Sequence, residues 1–183
     1  PSFSLVWMLQ NKEYIDYTGD LSLAKKHYPL MCRILESFRA RKNANGLIDN
    51  PQGKQMWNFY EWSDTMDGEI HEMQRRLECP INCFYSLALR SMAGICDALG
   101  KADMAAALRD RMVRLNAAIA RVFYNPDTKM FESFDIIHRG TYAVLTQSLA
   151  ILCGAAAGVD TSVMIPLMVQ NGEEQGGLEA AVG

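Results

Sequence analysis

The sequence predicts an all-α fold of about three αα-hairpins, with one small β-hairpin. Three observations lead to this prediction. Six stretches carry apolar residues at spacings near three and four, tight glycine-marked turns join these stretches in pairs, and much longer connections separate the pairs. With 183 residues, 49% of them hydrophobic, the chain can bury the core of one domain.

Six helices follow one another along the chain. They are predicted over residues 3–17, 21–42, 81–99, 103–123, 141–153 and 161–170. Gly19, Gly100 and Gly154 follow the predicted ends of the first, third and fifth helices, respectively. Glycine is common at this position because it adopts the left-handed conformation of a C-terminal cap. Pro29 falls inside the second helix and predicts a kink or a break at Tyr28.

The β-hairpin is predicted between the fourth and fifth helices, because an Asn-Pro-Asp turn at residues 125–127 separates two aromatic-rich arms. The connections at residues 43–80 and 124–140 are long for a compact domain, and long loops are usually functional. Consecutive helices that run antiparallel place alternate connections at opposite ends of the helical array. Both long connections and the start of the first helix therefore lie at the same end. The odd helices are more uniformly apolar than the even ones, which predicts an inner and an outer layer, as in part of an α/α toroid.

Composition excludes several classes of partner. Eighteen basic and 21 acidic residues give a formal charge of −3, and no Lys/Arg cluster stands in the sequence, so we expect no nucleic-acid partner. No apolar run reaches the roughly 18 residues of a membrane span. The five cysteines occupy apolar helical positions and predict reduced thiols, which favours a cytoplasmic location. We expect no metal site and no cofactor.

The segment at residues 57–64 predicts chemistry. It holds four aromatic residues and two carboxylates in a stretch without helical or strand periodicity. Aromatic faces stack on the C–H face of a sugar ring, and carboxylates accept bonds from its hydroxyls, whereas a packed core has little use for such acids. A histidine also precedes the fifth helix at the same end. The candidate sugar-binding residues are Trp57, Tyr60, Glu61, Trp62, Asp64 and His138.

Each candidate also has a plainer interpretation. Trp62 can be a loop anchor packed under the rim of the helical array, and Glu61 can form a salt bridge with a nearby Arg or Lys. His138 can be a hydrogen-bonded loop residue. Asp64 belongs to an acidic run that is either solvated or, less readily, able to bind calcium.

Several motifs resemble the catalytic domain of bacterial α-L-rhamnosidases, glycoside hydrolase family 78. They are the stretch at residues 3–20 ending in Tyr-Thr-Gly-Asp, the aromatic loop with Glu61-Trp62, the run at residues 83–90, and the Arg-Val-Phe-Tyr at residues 121–124. The resemblance implies an (α/α)6 barrel, of which the six predicted helices form half. It also implies inverting hydrolysis of a terminal α-L-rhamnosyl residue by two carboxylates set roughly 6.5–9.5 Å apart.

The chain departs from the family pattern in its acids. The family's acid signature, Asp-Glu-Arg-x-Gly-Trp-x-Gly-Asp, does not occur here, and the family's basic glutamate follows later helices. The resemblance therefore transfers no catalytic residue, and residues 1–183 are interpreted as a fragment of a six-hairpin glycosidase domain that is inactive alone. A half-barrel exposes an unpartnered inner face, which predicts a possible homodimer.

Two other functions remain open. Another (α/α)6 toroid enzyme, such as an unsaturated glycuronyl hydrolase, would share this scaffold. A sugar epimerase is less attractive, because it needs a histidine pair and the chain has three scattered histidines. A non-catalytic helical module could use the same aromatic loop to bind a glycan or a peptide.

Overall fold

The computed structural model of the chain describes residues 2–50, 58–62, 66, 77–134 and 140–174. It contains six helices and one two-stranded antiparallel hairpin in these ranges, so the predicted fold class is confirmed. The elements in chain order are α1 (Ser2–Thr18), α2 (Ser22–Arg39), α3 (Cys79–Ala98), α4 (Ala102–Phe123), β1 (Tyr124–Asn125), β2 (Met130–Phe131), α5 (Val144–Cys153) and α6 (Thr161–Glu174).

Helix α3 is the centre of the molecule. Fourteen of its twenty residues are buried, and it packs against α1, α4 and α5. Helices α2, α4 and α6 pack chiefly as the second members of their hairpins, and α4 buries only the stripe that faces α3. The odd helices therefore form the inner layer and the even helices the outer layer, as the apolar patterns predict.

Three glycines close the inner helices. Gly19, Gly100 and Gly154 have φ values of 70°, 72° and 91°, the left-handed region in which a Cβ would be strained. The amide of Gly19 bonds to the carbonyl of Ile15 at 2.8 Å, so it satisfies one of the last helical acceptors. These turns gather at one end of the layered array, as the alternation of connections requires.

Helix α2 continues through Pro29, so the break that was one of the two predicted outcomes does not occur. Pro29 is exposed, so the carbonyl four residues earlier that loses its amide partner can bond to water instead. Buried Ala24 and Met31 hold the helix to the core on both sides of the proline. The helix also ends at Arg39, earlier than residue 42, because Lys42 pairs with Ile48 in an isolated bridge.

Helix α5 starts three residues later than predicted. The carbonyl of Thr141 accepts the Ser133 amide at 2.8 Å, and the Ala143 amide donates to Ser133 Oγ at 3.1 Å. The residues before Val144 are thus tied to the connection that follows the hairpin, and Ala143 is extended.

The two long connections and the start of α1 meet at one end, as predicted. Ser2 Oγ donates to the carbonyl of Phe59 at 2.8 Å. The Cys79 amide donates to the Ser133 carbonyl at 3.0 Å, and Glu78 pairs with Phe134 in an antiparallel bridge. This end of the array is called the loop end below.

All five cysteines are free; four are buried and Cys32 is partly exposed, and their reduced state stays a prediction. In the part of the chain that the structure describes, no helix has both the length and the apolar content to cross a bilayer.

Candidate functional site

An exposed aromatic surface lies at the loop end. The Phe59 ring lies parallel to that of Phe3, with centroids 6.2 Å apart, and meets the Trp62 indole edge to face at 4.7 Å. Phe3 is 63% exposed and Trp62 is 72% exposed, although both are large apolar side chains. The three rings, Phe3, Phe59 and Trp62, are called the aromatic triad. Exposed rings held in contact at a loop end are a feature of ligand-binding surfaces.

The triad includes two rings that the sequence did not single out. Phe3 is the first residue of the predicted first helix, and it lies at the N-terminal end of α1 beside the connection between α2 and α3. Phe59 lay inside the aromatic segment but was not chosen. Its proximity to Phe3 follows from Ser2, whose hydroxyl holds the Phe59 carbonyl.

Glu61 lies beside the triad and is partly buried. Its amide and that of Tyr60 both donate to the Met66 carbonyl, at 3.2 and 2.9 Å. These bonds tie the backbone of Tyr60 and Glu61, next to Trp62, to Met66. A carboxylate next to exposed aromatic rings can accept sugar hydroxyls.

Tyr60 points away from this surface into a small cluster. Its ring stacks on Phe84 at 6.3 Å and packs against Met66, Phe134 and Ala143. Tyr60 is partly buried as a whole, and its enclosed hydroxyl donates to Glu78 Oε2 at 2.5 Å. Burial and the Glu78 carboxylate raise the pKa of Tyr60 well above its ordinary value.

Glu78 is a buried carboxylate that the sequence analysis missed. It is 2% exposed and is the N-cap residue of α3, where the partial positive charge of the helix favours an anion. Asn82 Nδ2 bonds to its carbonyl at 2.9 Å. An acid immediately before the Cys-Pro that opens a uniformly apolar helix was the available signal.

Glu132 is a second buried carboxylate at the loop end, and it too was missed. Its Oε1 accepts from Tyr142 Oη at 2.7 Å and Asn125 Nδ2 at 3.0 Å, and its Oε2 accepts from the Gly140 amide at 2.8 Å. Burial, with the Glu132 carboxylate, raises the pKa of Tyr142. With three donors on its two oxygens, Glu132 links the hairpin to the segment before α5 and has a structural role.

Three candidates, Trp57, Asp64 and His138, lie outside the described residues. Their assignment to the sugar site stays a prediction. A cleft of about 920 Å³ lies elsewhere, between α2 and α4, and includes none of the six predicted sugar-binding residues. Within the described ranges, no group of three or more His, Cys, Asp or Glu side chains is arranged to hold a metal ion.

Two concentric helical layers, with aromatic and acidic loops gathered at one end, define part of a helical toroid of the six-hairpin class. A family model described as the bacterial alpha-L-rhamnosidase 6 hairpin glycosidase domain matches residues 3–176. The chain therefore belongs to the bacterial α-L-rhamnosidase six-hairpin glycosidase family.

A solved structure has a similar fold. It is the crystal structure of a GH78 family rhamnosidase of Bacillus sp. GL1 at 1.9 Å, to which the chain is similar with a TM-score of 0.69 and 23% sequence identity. The similarity covers 83% of this chain and 15% of that chain, and it supports the fold alone. A comparison with curated proteins found no match.

Proposed function

We propose that this chain is part of a glycoside hydrolase that removes terminal α-L-rhamnosyl residues by an inverting two-carboxylate mechanism. In this proposal the chain supplies a wall of the sugar pocket. The observation that carries it is the aromatic triad, with two rings more than 60% exposed, beside the Glu61 carboxylate. Membership of a rhamnosidase domain family makes a rhamnosyl ring the first ligand to test.

The shape of rhamnose suits such a wall. Rhamnose is a 6-deoxy sugar, so its methyl group and C–H face present more apolar surface than most hexoses do. An indole such as Trp62 can cover this face, while Glu61 accepts one or two ring hydroxyls. Binding of this kind positions the glycosidic bond, and correct positioning is a large part of catalysis.

The catalytic carboxylates are not assigned within the described residues. An inverting enzyme needs a protonated acid and an opposing carboxylate roughly 6.5–9.5 Å apart, both open to substrate or water. Glu132 has its oxygens occupied by three donors, and Glu78 is buried under Tyr60. Both are better suited to holding the loop end in shape.

The test uses the protein that contains this chain in its natural context. With p-nitrophenyl α-L-rhamnopyranoside we expect turnover, and early proton NMR spectra should show β-L-rhamnose before mutarotation. First appearance of the α-anomer would contradict the inverting mechanism. Turnover of an unsaturated glycuronide instead would favour the other toroid enzyme, and glycan or peptide binding with no turnover of either would favour a binding module.

A further inference from the structure

A cleft on the outer surface has a charge that the sequence does not reveal. Helices α2 and α4 and the loop at residues 42–48 form its walls, and Tyr85 and Leu89 of α3 form its floor. Its volume of about 920 Å³ falls within the range of small-molecule sites. The basic residues lining it are Arg39, Lys42, Arg111, Arg114 and Arg121, and the one acidic residue lining it is Glu36. A chain with a formal charge of −3 thus concentrates positive charge at one place.

Two of these cations already have carboxylate partners. Arg39 bonds to Glu36 at 2.8 Å, and Arg114 forms an ion pair with Asp110 one helical turn earlier. Both pairs are exposed, and such pairs hold their partners weakly.

Within the part of the chain that the structure describes, Arg111 and Arg121 bond to neutral groups. Arg111 Nη2 donates to Tyr85 Oη at 2.5 Å, and Arg121 Nη2 donates to the Asn45 carbonyl at 2.7 Å. Neither these two nor Lys42 pairs with a carboxylate among residues 2–50, 58–62, 77–134 and 140–174. The contacts to Tyr85 and Asn45 orient the guanidinium groups and leave most of their N–H donors available.

The spacing along α4 indicates the shape of the ligand. Arg111, Arg114 and Arg121 stand at i, i+3 and i+10 and therefore on one face of the helix, along about 15 Å of its axis. A single small anion cannot engage both ends of such a row. Between the cations the surface is apolar, with Leu115 and Ala118 on α4 and Leu89 below.

We propose that this cleft binds an elongated organic oligoanion that carries at least two carboxylate or phosphate groups. The occupant is a small molecule, since the cavity is drug-sized, and its anionic groups engage Arg111 and Arg121 as the outer anchors. Planar guanidinium groups suit both carboxylate and phosphate through paired N–H donors. The cleft is separate from the aromatic triad, so the inference does not depend on rhamnoside hydrolysis.

Binding is measured by calorimetry on the protein containing this chain, at low ionic strength. The probes are trigalacturonate for carboxylate, tripolyphosphate for phosphate, and maltotriose as the neutral control. We expect at least one oligoanion to bind, maltotriose not to bind, and affinity to fall as NaCl is raised. Binding of trigalacturonate alone would identify carboxylate as the recognised group, and binding of tripolyphosphate alone would identify phosphate. Failure of both oligoanions, or equal binding of maltotriose, would overturn the proposal.

Matched variants locate the site. Arg121→Gln and Arg111→Gln should each weaken binding about tenfold or more, since each removes a charge-assisted contact to an anionic group of the ligand. Arg33→Gln removes the same charge from an exposed position of α2 outside the cleft, and it should change affinity less than twofold. If loss of the Tyr85 contact prevents Arg111→Gln from folding, Arg111→Lys is measured in its place. It keeps the charge but loses the paired N–H donors of the guanidinium group, so it should also weaken binding. Equal weakening by Arg33→Gln, or no effect of Arg121→Gln, would contradict the assignment.

Discussion

Tyr60 shows how one residue of a recognised segment can serve the scaffold. Its hydroxyl is enclosed and donates to a buried carboxylate, while its neighbour Trp62 is 72% exposed. The sequence could place both in an aromatic loop, but it could not assign the direction of each ring. Residue spacing gives no direction in a segment without a regular period. A sugar contact by Tyr60 stays a prediction, and its observed partner is Glu78.

Removal of the Tyr60 hydroxyl should destabilise the protein. Tyr60→Phe takes one donor from the Glu78 carboxylate, and a buried acceptor that loses a partner costs about 1–3 kcal/mol in the free energy of unfolding. Urea denaturation followed by circular dichroism measures this change. The matched control is Tyr17→Phe, because Tyr17 is 90% exposed, and a change within about 0.5 kcal/mol is expected there. Equal stability of the two variants would show that the buried bond contributes nothing.

The stability that the Tyr60–Glu78 hydrogen bond contributes should decrease at high pH. The pKa of Tyr60 is raised above the phenol value of 10.0, mainly by burial and then by Glu78. The contribution is therefore complete below pH 10, where the unfolded phenol is also protonated, and it decreases as the pH rises beyond that value. The stability difference between wild type and Tyr60→Phe should accordingly shrink above pH 10.

At the scale of elements, the glycine-marked turns were the most predictable feature. Gly19, Gly100 and Gly154 were placed from sequence, and all three have positive φ. The helix termini next to the long connections were less predictable. Val144 begins α5 late because Thr141 and Ala143 bond to Ser133, a contact made across the fold that no local pattern announces.

A glycine substitution isolates the strain of these turns. An alanine Cβ at Gly100 meets no atom within 4 Å, but the φ of 72° is strained for any residue with a side chain. Gly100→Ala should therefore lower the free energy of unfolding by about 1–2 kcal/mol. Gly158→Ala is the matched control, since Gly158 has open space and no positive φ. A loss at position 158 equal to that at position 100 would argue against left-handed strain as the cause.

At the scale of the whole molecule, the order and lengths of the helices predicted the two layers and the common end of the long loops. The apolar patterns were sufficient because α3 is buried along almost its whole length. The cluster of cations between α2 and α4 was not predictable in this way. Arg39 and Arg121 are far apart in sequence, so composition showed balanced charge where the fold creates a basic cleft. The expectation of no nucleic-acid partner and that of a homodimer through the inner face both stay predictions.

The buried acids Glu78 and Glu132 were also missed at this scale. Each lies in a long connection, and its burial depends on partners from another element, Tyr60 for Glu78 and Tyr142 for Glu132. A carboxylate in a loop is ordinarily assumed to be solvated, so sequence alone favoured the wrong environment for both.

We propose above all that the aromatic triad beside Glu61 forms a wall of a rhamnosyl pocket. The most direct test is kcat/KM for an aryl α-L-rhamnoside in the complete protein, measured for Trp62→Ala and for Tyr17→Ala. Both substitutions remove an exposed aromatic ring, but Tyr17 lies at the end of α1 opposite the loop end. We predict that Trp62→Ala lowers kcat/KM at least tenfold, on the order of 1.4 kcal/mol of transition-state stabilisation, and that Tyr17→Ala leaves it unchanged. Wild-type kcat/KM in a folded Trp62→Ala protein would contradict the claim.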